Sequence, residues 1–477
     1  MGGRWLKPFG IAASLMALAP AAVLYGATRA GPCASTEITA STGGAQAAKG
    51  PGPDRMSIVL VGDTGFNPTE ARVDPAGVRK GKGVTSFTET LAGIARDVDG
   101  DLAFVNLETV ITDRNDLPLE GSKGKGAFHF RSHPLALKAL MDAGFNLFSL
   151  ANNHSMDYGG QGVEETLYHM AVANAERTIA YAGIGSNFEE AIRPGCLDLD
   201  GTRIAFAAIG IITGDLPEHR AGPKKPGQAS YRDRADFEAV VNQLLGMTAD
   251  YRILSIHYGL EGRVVPDERQ LADWRGFAAE TKNIDLVLGH HPHVVQGVEI
   301  NGKSLIFYGL GNFLHPGTAE MTRFGICRDY GLMAKVHLAK LDGAWRVEAI
   351  EVIPLTDTQA RPERFAAPDS EKRIFALNHL AAGLDDGKNA KGVRFTPQAD
   401  GSGLYCAAGA ADLGGKLGTL CQGWQPAAEP EKPLATKIAE SCTDKPFYGK
   451  PALVKRRAPA RQRRETSPFP FGGLRPF

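Results

Sequence analysis

Hydrophobic runs recur along this chain with one habit: each breaks off at a polar or ionisable residue. The β-branched run RMSIVLVGD (residues 55–63) ends in Asp63. DLAFVNLE ends in Asn106 and Glu108, and FNLFSLANNH ends in Asn152, Asn153 and His154. RIAFAAIGI is a fourth run. YRILSIHYG carries His257 and Tyr258, IDLVLGHHPH closes on His290, His291 and His293, and SLIFYGLGNF closes on Asn312. Short apolar runs bounded by Gly, Asp and Asn predict strands. Helical patterns lie between several of them, such as GQGVEETLYHMAVANAE, where Val163, Leu167, Met170 and Ala171 are spaced for one face. Strands alternating with helices predict an α/β layered fold, in which ligands bind beyond the carboxyl ends of strands. Two later runs, YGLMAKVHLAK and WRVEAIEVIPL, alternate more and have no obvious helix between them, so they predict a closing hairpin.

The ends of the chain read differently. Arg4 and Lys7 precede the uncharged stretch FGIAASLMALAPAAVLYGA, the arrangement of a signal peptide or a membrane anchor. Either one places everything after Ala30 outside the cytoplasm, periplasmic or membrane-anchored. The organisation expected is a signal or anchor over 1–30, a flexible linker over 31–54 and a core domain over 55–355. A less ordered extension over 356–450 and a disordered basic tail over 451–477 follow. The loop TGDLPEHRAGPKKPGQASYRDRADF interrupts the core and is expected to border the site.

Composition adds limits. An apolar share of 43% and a charged share of 22% are those of a globular protein, and a formal net charge of zero gives no reason to expect nucleic acid. The six cysteines are even in number and include no CxxC pair. In an exported chain they predict disulfides rather than a cysteine zinc site. At least two of Cys406, Cys421 and Cys442 are expected to pair with each other.

The candidate chemistry sits at the strand ends. Asp63, Glu108, Asn153, His154, His257, His290, His291 and His293 form a mixed oxygen and nitrogen set that suits Mn, Fe, Zn or Mg. A carboxylate can bridge two such cations. Each residue alone could be a turn aspartate, a solvated charge or a packed histidine. The joint pattern carries the metal reading.

The motifs GDTGFN, NLET, LANNHSMDYG, HYGLE, GHHPHVV and YGLGNFL occur in that order. They resemble the CapA family of capsule-synthesis and poly-gamma-glutamate biosynthesis proteins, over roughly residues 56–320. The resemblance implies a calcineurin-like metallophosphoesterase-like fold. It implies metal ligation by Asp63, Glu108, Asn153, His257, His291 and His293, with His154 as the acid that protonates a leaving oxygen. Asn152, Asp157, Tyr258, Glu261 and Asn312 would orient substrate or the ligands, and His290, the extra histidine, would either support the ligands or simply pack. One departure stands out: phosphoesterases of this fold usually open with Asp-x-His, and here the stretch is Asp63-Thr64-Gly65. The ligand count is then unequal. Glu108, Asn153, His257 and His291 would hold one cation, and only Asp63, Glu108 and His293 the other, which predicts a stoichiometry nearer one than two. The resemblance leaves two readings of function. One is a metal-dependent hydrolase acting on a cell-envelope polymer. The other is a non-catalytic scaffold or anionic-polymer-binding component beside capsule or polyglutamate synthetase proteins. A weaker third gives polymer or headgroup binding to the basic tail around Lys455 and Arg464.

Overall fold

The computed structural model describes residues 54–80, 83–120, 128–212, 216–278, 283–317 and 324–444. The expected signal or anchor, nearly all of the linker and the basic tail lie outside them. Among the described residues no helix is long and apolar enough to cross a membrane.

The first half of the chain forms β1 (Arg55–Thr64), β2 (Leu102–Leu107), α1 (Pro134–Ala143), β3 (Leu147–Ser149), α2 (Gly159–Glu176) and β4 (Ala180–Ala182). Next come β5 (Gly195–Leu199), β6 (Thr202–Gly210), α3 (Arg234–Gly246), β7 (Tyr251–His257), α4 (Glu268–Arg275), β8 (Leu286–His290), β9 (Val298–Asn301) and β10 (Ser304–Phe307). The rest adds β11 (Asn312–Leu314), β12 (Gly331–Leu341), β13 (Ala344–Thr356), α5 (Asp369–Ala382), β14 (Ala390–Gly392), β15 (Thr396–Pro397) and β16 (Gly403–Cys406).

Two sheets result. One runs β15-β16-β13-β12-β1-β2-β3-β4, with β11 also on β1, and the other runs β5-β6-β7-β8-β10-β9-β14. The neighbours β1, β2, β3 and β4 are parallel, as are β6, β7, β8 and β10. The sheets pack face to face. Ile58 and Leu60 of β1 join Phe104, Phe206, Ile253, Leu288 and Phe307 between them. The alternate residues Val59 and Val61 face outward against Leu137, Leu140, Val163 and Met170 of α1 and α2. Val240, Leu244 and Trp274 of α3 and α4 cover the far side of the second sheet in the same way. Strands covered on both faces read as continuous apolar runs, which is why the runs were visible in the sequence. The α/β layered fold expected from them is the fold observed.

Details differ from expectation. Helix α2 buries Val163, Thr166, Met170 and Ala173, whereas Leu167 is half-buried and Ala171 is exposed. The Thr166 hydroxyl accepts from the Ile111 N–H at 3.1 Å and donates to the Gly162 carbonyl, so that face is drawn inward. The closing hairpin is present as β12 and β13, which pair antiparallel through a turn at Asp342 and Gly343. Beyond it, residues 356–444 supply β14 to one sheet and β15 and β16 to the other. These strands are two to four residues long, too short to show a period in the sequence. Cys406 pairs with Cys421 as expected, and Cys442 pairs with Cys327 instead.

Candidate metal centre

The parallel strands of both sheets end on one rim, and that rim carries the chemistry. Register sets Asp63 of β1 beside Asn106 of β2 and Asn312 of β11. A Cβ on Gly62 would lie 1.8 Å from the Gly311 carbonyl oxygen, so only glycine lets β11 close against β1 there. In the second sheet His257 stands opposite His290. The chain then turns through His291 and His293, whose φ angles are 91° and 57°. Such positive φ at non-glycine residues costs of order 1–3 kcal/mol each and persists only where the surroundings enforce it. Here the His291 N–H donates to Asp63 Oδ2 at 3.3 Å, the Gly262 N–H to the Pro292 carbonyl at 2.7 Å and the Tyr258 N–H to the His290 carbonyl at 3.1 Å.

Glu108 is the hub of the rim and is fully buried. His257 Nε2 lies 3.4 Å and His154 Nε2 3.9 Å from its Oε1; His315 Nε2 lies 3.4 Å and His293 Nδ1 3.8 Å from its Oε2. Two compact triads of metal-ligating atoms form around it, Glu108–His291–His293 and Asp63–Glu108–His257. They cut across the allotment expected from the sequence, because a central carboxylate reaches both sides. His257 is oriented from both nitrogens. Asn106 Nδ2 lies 3.1 Å from Nδ1, and Nε2 lies 2.6 Å from Asn153 Oδ1. The same Asn106 amide donates to Asp63 Oδ1 at 2.8 Å. His293 Nδ1 lies 2.9 Å from Asn312 Oδ1 and 3.2 Å from Asp63 Oδ2.

Electrostatics follow from this crowding. Burial and the nearby Glu108 oppose charge on Asp63, but His290, His293 and His257 prevail and hold its carboxyl below the ordinary range. Burial likewise opposes charge on Glu108 and is outweighed by His293 and His257, which hold it well below that range. His293 rises to about 10 against its own burial, through Glu108 and Asp63. His291 falls well below the usual histidine range through burial, then His257 and His293. Positive charge is therefore favoured between the two carboxylates, whether as a proton on His293 or as a divalent cation. Neither oxygen of Glu108 has a hydrogen-bond partner, although both are buried. A buried ionised carboxylate normally has its oxygens satisfied. Carboxylates, an amide and imidazoles around such a group fit a divalent cation.

The remaining sequence candidates have distinct places. His154 Nδ1 is 2.8 Å from Asp157 Oδ2, which also accepts from the Phe130 N–H at 2.6 Å. Burial lowers the proton affinity of His154, but Asp157 prevails and raises it. Asn152 is part of the loop's own frame, donating to the Leu107 carbonyl at 2.7 Å and accepting from the His154 N–H at 3.0 Å. From the interrupting loop, Gln228 donates to the Asn152 carbonyl at 2.8 Å, so that loop does buttress the site. His290 is buried on Phe104 at 5.4 Å, with Nδ1 3.5 Å from Asp63 Oδ1. Glu261 is exposed and near enough to His293 to raise its proton affinity. Tyr258 turns away, against Tyr231 at 4.6 Å.

Two participants were not among the sequence candidates. Asn106 had a readable signal, since strand alternation puts it on the same face as Glu108 two residues on. His315 had none, because it reaches the centre through the pairing of β11 with β1.

Comparison with known proteins gives the chain its relatives. The chain is 26% identical over 249 residues to the capsule biosynthesis protein CapA of Bacillus anthracis, covering 52% of this chain and 56% of that protein. It is 26% identical over 262 residues to the PGA biosynthesis protein CapA of Bacillus subtilis (strain 168), covering 54% and 65%. The match thus spans little more than half to two thirds of those relatives' length. Among solved structures, the calcineurin-like phosphoesterase YfkN from Bacillus subtilis aligns with 63% of this chain and 91% of its own, at 13% identity and a TM-score of 0.33. The family model described as "Bacterial capsule synthesis protein PGA_cap" matches residues 57–316, more than half of the sequence and every strand end that contributes to the centre, and the chain belongs to that family.

Proposed function

We propose that this protein is an exported, divalent-metal-dependent hydrolase of phosphoesterase type that acts on a capsule or polyglutamate-type envelope polymer or its precursor. The observation that carries this reading is Glu108, a buried carboxylate ringed by imidazoles with neither oxygen hydrogen-bonded. Asp63, Glu108, Asn153, His257, His291 and His293 would hold one or two cations of Mn, Fe, Zn or Mg. Such a cation supplies Lewis acidity and lowers the pKa of a bound water. His154 does the proton work. Asp157 fixes its Nδ1 and keeps a proton available at Nε2, which faces Glu108. Phe130, edge-on to His154 at 4.5 Å, shields that imidazole from water. The disulfides Cys327–Cys442 and Cys406–Cys421 support an oxidising compartment. An anionic polymer and synthetase proteins of the capsule pathway are the partners this reading expects.

The test compares wild type with His154→Ala on phosphomonoester, phosphodiester and gamma-glutamyl substrates. Loss of an acid of this kind costs about 10²–10⁴-fold in kcat, with bound metal unchanged. Absence of metal-dependent turnover by wild type on all three classes would count against an enzyme. Restored polymer export by His154→Ala in a deletion strain would move the role to scaffolding.

A further inference from the structure

His315 stands just beyond β11, and its position bears on the thin half of the centre. β11 pairs in parallel with β1, Asp63 against Asn312 and Thr64 against Leu314, and the Gly65 N–H donates to the Leu314 carbonyl at 2.7 Å. The next residue, His315, is thereby carried alongside Gly65. Its own N–H is fixed to the Thr358 carbonyl at 2.7 Å. The ring is 1% exposed, edge-on to Phe130 at 4.8 Å and 5.4 Å from His293, with Nε2 3.4 Å from Glu108 Oε2. Phe130 thus has His154 on one flank and His315 on another.

Donor spacing is the ground for giving this imidazole a role, although the two compact triads around Glu108 do not include it. Nitrogen and oxygen ligands at 2.0–2.2 Å from one cation stand about 3–3.5 Å apart. Glu108 Oε2 to His315 Nε2 is 3.4 Å and Asp63 Oδ2 to His293 Nδ1 is 3.2 Å, while Glu108 Oε2 to His293 Nδ1 is 3.8 Å. These four side chains come from β1, the end of β2, the loop after β8 and the end of β11. Gly65 offers no side chain in the Asp63-Thr64-Gly65 stretch, and the neighbouring strand offers one in its place.

We propose that His315 is the fourth protein ligand of a second cation held with Asp63, Glu108 and His293, so that the full chain binds two divalent cations rather than one. This rests on the metal-dependent reading above, and the measurements separate the two. Full-length protein is stripped, titrated with Mn2+ and Zn2+ by calorimetry, and assayed for metal per chain. Wild type binds two. His315→Ala and His315→Leu, the second keeping bulk against Phe130 without a donor atom, bind one at wild-type affinity and the other more than about 100-fold more weakly, a larger change than outer-shell substitutions usually make. Two Mn2+ ions about 3.5–4 Å apart give an exchange-coupled electron paramagnetic resonance signal, and either variant gives the six-line signal of an isolated ion. Wild-type binding of a single cation overturns the second site and leaves the metal-dependent reading intact. Wild-type binding of none overturns both. Two cations at unchanged affinity in His315→Leu show that His315 is not a ligand.

Discussion

Glu108 and Glu299 are both fully buried, and they are satisfied in opposite ways. Glu299 on β9 accepts from Arg275 Nε at 3.0 and 3.1 Å and from Nη2 at 2.5 Å, with the Tyr308 hydroxyl at 3.5 Å. Its charge is matched by a permanent cation that belongs to the chain. Glu108 has four imidazoles within 3.9 Å and no hydrogen bond. Imidazoles can donate a proton or give up their lone pair to a metal, so this second environment is adjustable where the first is fixed. A carboxylate locked by arginine holds a fold together. One ringed by histidines is arranged for an ion that comes and goes.

Two substitutions bear hardest on that contrast. Glu108→Gln removes the ligand common to both triads, so bound metal should fall to a level undetectable by elemental analysis. The chelated variant should also unfold at a lower urea concentration than chelated wild type, because His293 and His257 hold Glu108 ionised and its removal strands the charge on His293. Arg275→Ala should leave the metal content unchanged, while stability drops by about 3–5 kcal/mol, the cost of leaving a buried carboxylate without its partner. Loss of bound metal from Arg275→Ala, or its retention by Glu108→Gln, would erase the distinction between the sites.

The contrast also marks what the sequence could reveal. The rim was legible because strands buried on both faces appear as apolar runs, and the residue that ends each run marks a strand end. Asp63, Glu108, Asn153, His154, His257, His291 and His293 all lie on one rim for that reason. Asn312 was legible as the end of a run, and its bond to His293 was not. His315 follows three residues later with no run of its own, and only the parallel pairing of β11 with β1 carries it to Glu108. Glu299 looks like a solvated charge in VEIN, since nothing near it in sequence foretells Arg275 across 24 residues. Short strands hid the contribution of residues 356–444 for a related reason: their order comes from the sheets they join and from the disulfides, not from a period of their own.

Asp285 supplies the intermediate case and the smallest effect. It is half-buried at the start of β8 and accepts the Arg252 N–H at 2.8 Å. It has neither a locked arginine nor a ring of histidines. Burial therefore prevails over that bond and over the charges of Arg252 and Lys303, and pushes its carboxyl up to about 6. An unfolded aspartate titrates near 3.9, so the native state binds this proton more tightly. The contribution to stability is then complete below about pH 4 and is lost as pH rises toward about 6, by roughly 2–3 kcal/mol. Asp285→Asn carries no ionisable group, so the difference between variant and wild type isolates this one titration from all others. That difference should grow in the variant's favour from pH 4 to pH 6 and level off above. A difference constant across that range would mean that Asp285 stays ionised when buried, and that a single backbone donor can do for it what four imidazoles do for Glu108.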